Sequence, residues 1–369
     1  MSQVFAEIVE IQSVEKHPNA DKLDLVRVKG FTTCYRAGDL KAGDHVVYFP
    51  VDLLIPEEMA TKLGVAKMLK SCMFTDGEPA THCRVGACRL KGVPSFGFVM
   101  PLTDAVNLVK GPGERPTYQI GGNVDHWFGS KKYEPILRLD QGDREPECAA
   151  FHRYTDIERI QNFPDVLMEG ELVRITEKIH GTNSRVGVVG SNGDYNFMAG
   201  SNRARRKQFD LNGNPSLYWK PLEDERVLNL INGICEGKRN VIVFGEIFGP
   251  GVQDLDYGCS RGAGYRVFDI SVDGTYLDWI DLKGECEQWG VPLVPLLYCG
   301  PWSKDLIDKF TYGPTTVCDP AAIKGKFKDR EGIVITPLTE RYTAILGGRV
   351  ILKSVSADFN DRKGGTDNE

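Results

Sequence analysis

Residues 176–183 read TEKIHGTN and set a lysine, Lys178, between two strand-like stretches, GELVRITEKI and SRVGVVG. Lys178 stands two residues ahead of His180 and three ahead of Gly181. A lysine at a strand end, followed by a glycine turn, can point into a cleft where the backbone comes close to a ligand. To act as a nucleophile its amine must be neutral or lose its proton during attack, which burial beside a cation or metal promotes. K-x-x-G alone fits a surface lysine just as well, so the reading depends on the residues downstream of it in the chain.

Further along, carboxylates stand at the ends of strand-like runs in FGEIFG (Glu246) and REGIVI (Glu331). An aromatic stands in VFDI (Phe268) and a second lysine in ILKSVS (Lys353). Nucleotidyl transfer uses such parts: a flat ring for adenine, an acceptor for the ribose hydroxyls, hard oxygens for a divalent metal and a point charge for the α-phosphate. The surrounding runs VIVFGEIFG, YRVFDISV, EGIVIT and RVILKSV read as strands, with PLEDERVLNLINGICEG and KDLIDKF as helical segments between them. TDIERIQNF reads as an opening helix with Asp156 and Glu158 in its first turn. The expectation is an α+β domain built on antiparallel sheets.

Upstream, FAEIVEIQSVEKH and KLDLVRVKG alternate apolar and polar residues, and DHVVYFPVD is a short apolar run. Short strands with frequent Gly and Pro point to a small all-β barrel. A length of 369 residues, 41% of them hydrophobic, fits two domains. We expect them at 1–130 and 151–356, with a linker at 131–150 and a polar, disordered tail at 357–369. A formal net charge of −6 excludes a global positive field, so any nucleic-acid contact must use local patches. The ten cysteines are scattered, and the N-terminal MSQVFAEIVEIQ lacks signal-peptide character, so free thiols in a cytoplasmic protein are expected. The densest group, Cys72, His82, Cys83 and Cys88, lacks the short cysteine pairs of a structural zinc site. No apolar run approaches the roughly 18 residues of a membrane span, and no membrane partner is expected.

The chain resembles known families on specific stretches. KHPNADKLDLVRV is similar to the opening of tRNA-binding OB modules attached to some aminoacyl-tRNA synthetases, although His17 to Asp21 would also serve as the turn of any barrel. GDLKAGDHVVYFPVDLLIP and RLKGVPSFGFVMPL, a longer match, resemble the OB domain that precedes the catalytic domain in Deinococcus-type and Naegleria-type RNA ligases. In the second domain, Lys178 to Gly181, Phe244 to Gly249, Val267 to Ile270, Glu331 to Ile335 and Leu352 to Ser356 resemble motifs I, III, IIIa, IV and V of the covalent nucleotidyltransferases. That superfamily holds RNA ligases, DNA ligases and capping enzymes. EKIHGTN and GEIFGPGVQDLDYG are most similar to its RNA ligase branch, including the phage RNA ligase 2 type.

The resemblance implies an α+β nucleotidyltransferase with ATP-grasp-like antiparallel sheets, preceded by an OB-fold barrel. Lys178 would form a lysyl-AMP with ATP, and Glu177 would contact adenine. Phe268 would stack on adenine, Glu246 would hold the ribose or a metal, Glu331 would bind Mg or Mn, and Lys353 would contact the α-phosphate. In MAGSNRARRKQ, Arg203 best fits the motif Ia arginine, with Arg205 and Arg206 as contenders, and the cluster is the best local patch for an RNA backbone. His180 stands where many relatives have aspartate, though the phage RNA ligase 2 type also has histidine. Motif V carries one lysine where some ligases have two, so Arg349 is a further candidate for phosphate electrostatics. The implied partner is RNA, or a nicked duplex with an RNA 3′-hydroxyl strand, and the implied state is a monomer. DNA ligases and capping guanylyltransferases usually place the OB domain after the catalytic one. A non-catalytic tRNA-binding protein would leave the ordered motifs unexplained.

Overall fold

The computed structural model describes residues 4–75, 79–110, 118–133, 142–191, 194–236, 239–260 and 262–362, so part of the expected linker and most of the expected tail lie outside the described residues. The chain divides into two compact units, one of residues 1–136, 160–164 and 357–369, the other of 137–159 and 165–356.

In the first unit the strand His45–Phe49 is buried on both faces. Val47 and Phe49 join one apolar core with Leu53, Ile55 and Phe128, while Val46 and Tyr48 join another with Ile11, Val26 and Phe31. Two-sided burial is why VVYF reads as a continuous apolar run rather than an alternation. It pairs antiparallel with Glu7–Glu10 and Phe98–Pro101. Ser13–Lys16, Leu23–Val28 and Phe31–Arg36 form a separate meander.

This differs from an all-β barrel in two ways. Strand pairing among the described residues does not close a ring. Helices Glu57–Lys62 and Leu102–Lys110 also complete the core, the second through Leu102, Ala105 and Val106 at helical spacing. The HPNADK turn is locked internally. His17 lies within hydrogen-bond distance of the Leu90 carbonyl through Nε2 (3.0 Å), its Nδ1 accepts from the Asn19 amide (3.0 Å), and the Asn19 amide side chain donates to the Lys91 carbonyl (3.0 Å). The expected tail opens as a helix, Ala357–Asn360, with Phe359 fully buried and Asp358 paired to Arg89.

Beside a short hairpin of Tyr342–Thr343 with Gly348–Arg349, the second unit holds two larger sheets. One runs in the order Glu158–Arg159, Leu352–Val355, Gly332–Pro337, Leu172–Lys178, Leu296–Pro301; the other runs Arg205–Arg206, Asp194–Ser201, Thr182–Ser191, Val241–Phe248, Gly264–Val272, Thr275–Tyr276. All pairings are antiparallel except Glu158–Arg159 with Leu352–Val355. That short strand and a 3-10 turn at Ile160–Asn162 replace the expected TDIERIQNF helix, because pairing to a strand almost 200 residues away outweighs the local helical pattern.

Val241 and Val243 pack with helices Glu225–Cys235 and Trp279–Trp289. Ile242 and Phe244 pack on the other side with Phe151, Tyr154, Tyr276 and Ile351. Phe268 and Val334 pack against this second core, which therefore draws residues from both sheets. No described helix is long and apolar enough to cross a membrane, and the nine described cysteines are free thiols.

Candidate active site

The strand Leu172–Lys178 of one sheet ends at the lysine, and after three residues the chain enters Thr182–Ser191 of the other sheet. Lys178 thus sits where the chain crosses between sheets. Gly181 is required there by packing: a Cβ on it would stand 2.2 Å from the Ile247 carbonyl oxygen and 3.0 Å from the Glu246 Cγ. The turn after the lysine is pressed onto the strand that carries Glu246, with Asn183 opposite Glu246 in the register.

On its other side Lys178 is opposite Gly332, which places Glu331 beside the lysine side chain. The Lys178 Nζ donates to Glu331 Oε1. The Lys178 side chain is about one fifth exposed, at 21%, while that of Glu331 is 1% exposed. The second oxygen, Glu331 Oε2, is buried with no hydrogen-bond donor, and His180 Nδ1 lies 3.7 Å from it. A buried carboxylate oxygen without a donor is costly unless a ligand completes it.

His180 is fixed by a loop to which the motif reading assigns no role. Its Nε2 lies 2.9 Å from Asp254 Oδ1, and its backbone amide donates to the Tyr257 hydroxyl at 2.7 Å. Burial raises the Tyr257 pKa well above its ordinary value, and the charges of Glu331, Glu177 and Glu246 add to this, so the phenol stays protonated. Asp254 and Tyr257 both lie in GEIFGPGVQDLDYG, where acidic and aromatic residues without periodicity were the available signal.

The register also assigns faces. Thr176, Val334 and Lys353 stand in one row across three strands, two residues along from the row of Lys178, Gly332 and Val355. Alternation therefore sends Lys178 and Lys353 to the same face of the sheet. Lys353 is 7% exposed. Phe268 occupies a β-bulge: Gly245 pairs with Val267 and Phe244 with Asp269, so Phe268 is the extra residue between them. The bulge re-aims it onto Tyr154, ring centroids 4.8 Å apart, away from the core that takes Val267 and Ile270.

Two expected site residues are placed otherwise. Glu177 alternates away from Lys178, and its oxygens accept from the Thr315 hydroxyl, the Thr316 amide (2.6 Å) and the Thr316 hydroxyl (2.7 Å). Its carboxylate holds that segment in place. Arg349, expected to serve phosphate electrostatics, is 2% exposed and pairs with Asp269 (2.9 Å) and Glu340, its guanidinium lying 3.8 Å from the Tyr276 ring centroid. A cation enclosed this way cannot reach a phosphate.

The arginines of the cluster differ in their partners. Arg205 pairs with Glu145 and Arg206 with Asp143, whereas Arg203 is exposed and its guanidinium has no ion-pair partner among the described residues.

No group of three His, Cys, Asp or Glu among the described residues could by itself hold a metal. The donor set nevertheless fits a magnesium-like ion, which is usually bound by one or two carboxylates together with phosphate oxygens and water. Glu331 Oε2 and Glu246 are the candidate carboxylates for it.

A profile of the RNA ligase family matches residues 171–355, half of the 369-residue chain, and an OB-fold domain profile matches residues 5–102. No curated protein sequence matches. Among solved structures, a lysine-to-alanine variant of the Naegleria gruberi RNA ligase with ATP and Mn is 21% identical, with a TM-score of 0.75, covering 98% of this chain and 100% of that one. A glutamate-to-alanine variant of the same ligase with AMP and Mn is also 21% identical, with a TM-score of 0.76, covering 99% of this chain and 100% of that one. The ligase with PPi gives a TM-score of 0.71 at 21% identity, covering 97% and 98%. These structural likenesses speak for the fold, an OB-fold domain followed by a nucleotidyltransferase-like domain. The profile match spans the strands that carry Lys178, Glu246, Phe268, Glu331 and Lys353, and on it the chain belongs to the RNA ligase family.

Proposed function

We propose that this protein is an ATP-dependent RNA ligase that seals 3′-hydroxyl/5′-phosphate breaks through a lysyl-AMP intermediate, in RNA repair. The observation that carries the reading is the pairing of Lys178 with a buried carboxylate, Glu331, that keeps one oxygen without a donor. The existence of Naegleria gruberi ligase structures with ATP and Mn, with AMP and Mn, and with PPi supports ATP as substrate and a divalent metal as cofactor.

In the first step the Lys178 Nζ attacks the α-phosphorus of ATP, a nitrogen–phosphorus bond forms and pyrophosphate leaves. The lysine must shed a proton, and Glu331 Oε1 is the base already in contact with it. A bound Mg or Mn would supply positive charge to the phosphate oxygens, held by Glu331 Oε2 and Glu246. Lys353, on the face shared with Lys178, contacts the α-phosphate; Phe268 stacks on adenine; Glu246 also faces the ribose. Arg203 acts on the nucleotide from its exposed loop. His180, clasped by Asp254 and Tyr257, keeps the crossover turn in place. In the second step AMP passes to the RNA 5′-phosphate, and in the third the 3′-hydroxyl attacks and AMP leaves. The OB-fold domain grips the nucleic acid through its backbone, where A-form shape favours ribose on the 3′-hydroxyl side.

The test is sealing of a nicked duplex with ATP and Mg or Mn, the 3′-hydroxyl strand ending in ribose or deoxyribose. Joining of the ribose end in preference supports the reading. Equal joining of both removes the RNA preference, and no joining of either removes ligation.

A further inference from the structure

The segment AAIKGKFKDREG, residues 321–332, leads directly into Glu331. Lys324, Lys326 and Lys328 are all exposed, and none has an ion-pair partner among the described residues. A run of three lysines in five residues is ordinarily a solvated surface. Here, however, both ends of the loop are fastened to the active site.

At its start, a 3-10 turn at Pro320–Ala322 is capped by Asp319, whose side chain accepts from the Ala321 amide. The Lys324 and Gly325 amides then donate to Asp256 Oδ2, at 3.1 and 3.3 Å. Asp256 belongs to the same loop as Asp254 and Tyr257, and its other oxygen accepts from the Gly258 amide at 2.8 Å. The two segments touch closely enough that a Cβ on Gly258 would stand 2.9 Å from the Ala322 Cβ.

At its end, Arg330 is buried and donates to the carbonyls of Phe310 (2.9 Å) and Pro314 (2.9 Å), and the Thr315 amide donates to the Lys328 carbonyl at 3.0 Å. Thr315, with Thr316, also holds Glu177. Lys328 is three residues from Glu331, so its Cα lies within about 11 Å of the catalytic carboxylate's Cα.

We propose that Lys324, Lys326 and Lys328 form the docking surface for the phosphodiester backbone of the RNA strand that enters the Lys178 site. The inference rests on the RNA ligase reading and adds where the substrate strand runs. Three ammonium groups on one short, fastened loop give position without base readout, as backbone contacts do. With an overall charge of −6, attraction of a polyanion falls to local patches such as this one.

The experiment compares the full-length wild type with the triple variants K324Q/K326Q/K328Q and K324R/K326R/K328R. Three readouts are taken: protein adenylylation across ATP concentrations, affinity for a nicked RNA duplex across salt concentrations, and sealing of a nick already carrying 5′-AMP. The glutamine variant should adenylylate with unchanged ATP dependence while its log-affinity against log-salt slope falls by about 2.7, for three contacts at about 0.9 each on a duplex. Its sealing of the adenylylated nick should drop in parallel, and the arginine variant should restore both. An unchanged salt slope would overturn the proposal. So would a raised ATP requirement or lost adenylylation, either of which would assign the loop to the triphosphate. Failure of the wild type itself to adenylylate or seal would count against the ligase reading instead.

Discussion

Two carboxylates in the second unit are built from similar ingredients and end in opposite states. Asp269, 1% exposed, accepts from Arg174 at 2.8 Å through one oxygen, and from Arg349 at 2.9 Å and the Tyr154 hydroxyl through the other. Burial opposes its charge, but Arg349 and Arg174 together overcome that penalty and hold its pKa below the ordinary value. Glu331, equally buried, spends one oxygen on Lys178 and leaves the other without a donor. The first is a closed knot that fixes the bulge carrying Phe268 between the sheets. The second is an open site whose remaining bonding capacity is left for a ligand. Of this pair, the carboxylate left open is the one placed for function, and the closed one is structural.

The contrast can be challenged by substitution. The largest effect belongs to the nucleophile: Lys178→Ala and Lys178→Arg should both abolish protein adenylylation, since an arginine stays protonated and cannot attack phosphorus. Labelling retained by either, measured with ATP carrying a label in its α-phosphate, would place the covalent lysine elsewhere. Asp269→Asn comes next and should cost about 3–5 kcal/mol of stability, because it leaves two buried guanidiniums without their shared anion; chemical denaturation measures it, and a loss under about 1 kcal/mol would open the knot. Glu331→Gln should invert that pattern. Adenylylation should fall on the order of 10²–10³-fold, as for other groups aimed at developing charge, while the midpoint of unfolding moves far less than for Asp269→Asn. Phe268→Ala is the mildest, costing about 1–3 kcal/mol of ATP affinity by analogy with base stacking. A larger effect for Phe268→Ala than for Glu331→Gln would show that these two roles are wrongly assigned.

Much of this was legible in the sequence because the chemistry restricts residue type and order. Lys178, Glu246, Phe268, Glu331 and Lys353 stand on or beside strands that the sequence displays as short apolar runs. What was not legible depended on partners distant in the chain. Arg349 looks like any cation near motif V until Asp269, 80 residues earlier, closes around it. Glu177 looks like part of motif I until Thr315 and Thr316 take up its oxygens. Asp254 and Tyr257 act through an irregular loop with no periodicity to mark them. The Glu158–Arg159 strand has a helical pattern in sequence because only its pairing with Leu352–Val355 makes it a strand.

The most direct test of Lys178 as the covalent nucleophile is to incubate the wild-type chain with ATP and Mg or Mn, digest it, and locate the AMP adduct by tandem mass spectrometry. One acid-labile AMP is expected, joined through nitrogen to phosphorus on Lys178, with pyrophosphate released in equal amount. An adduct on any other residue, or no adduct while ATP is turned over, would contradict this assignment.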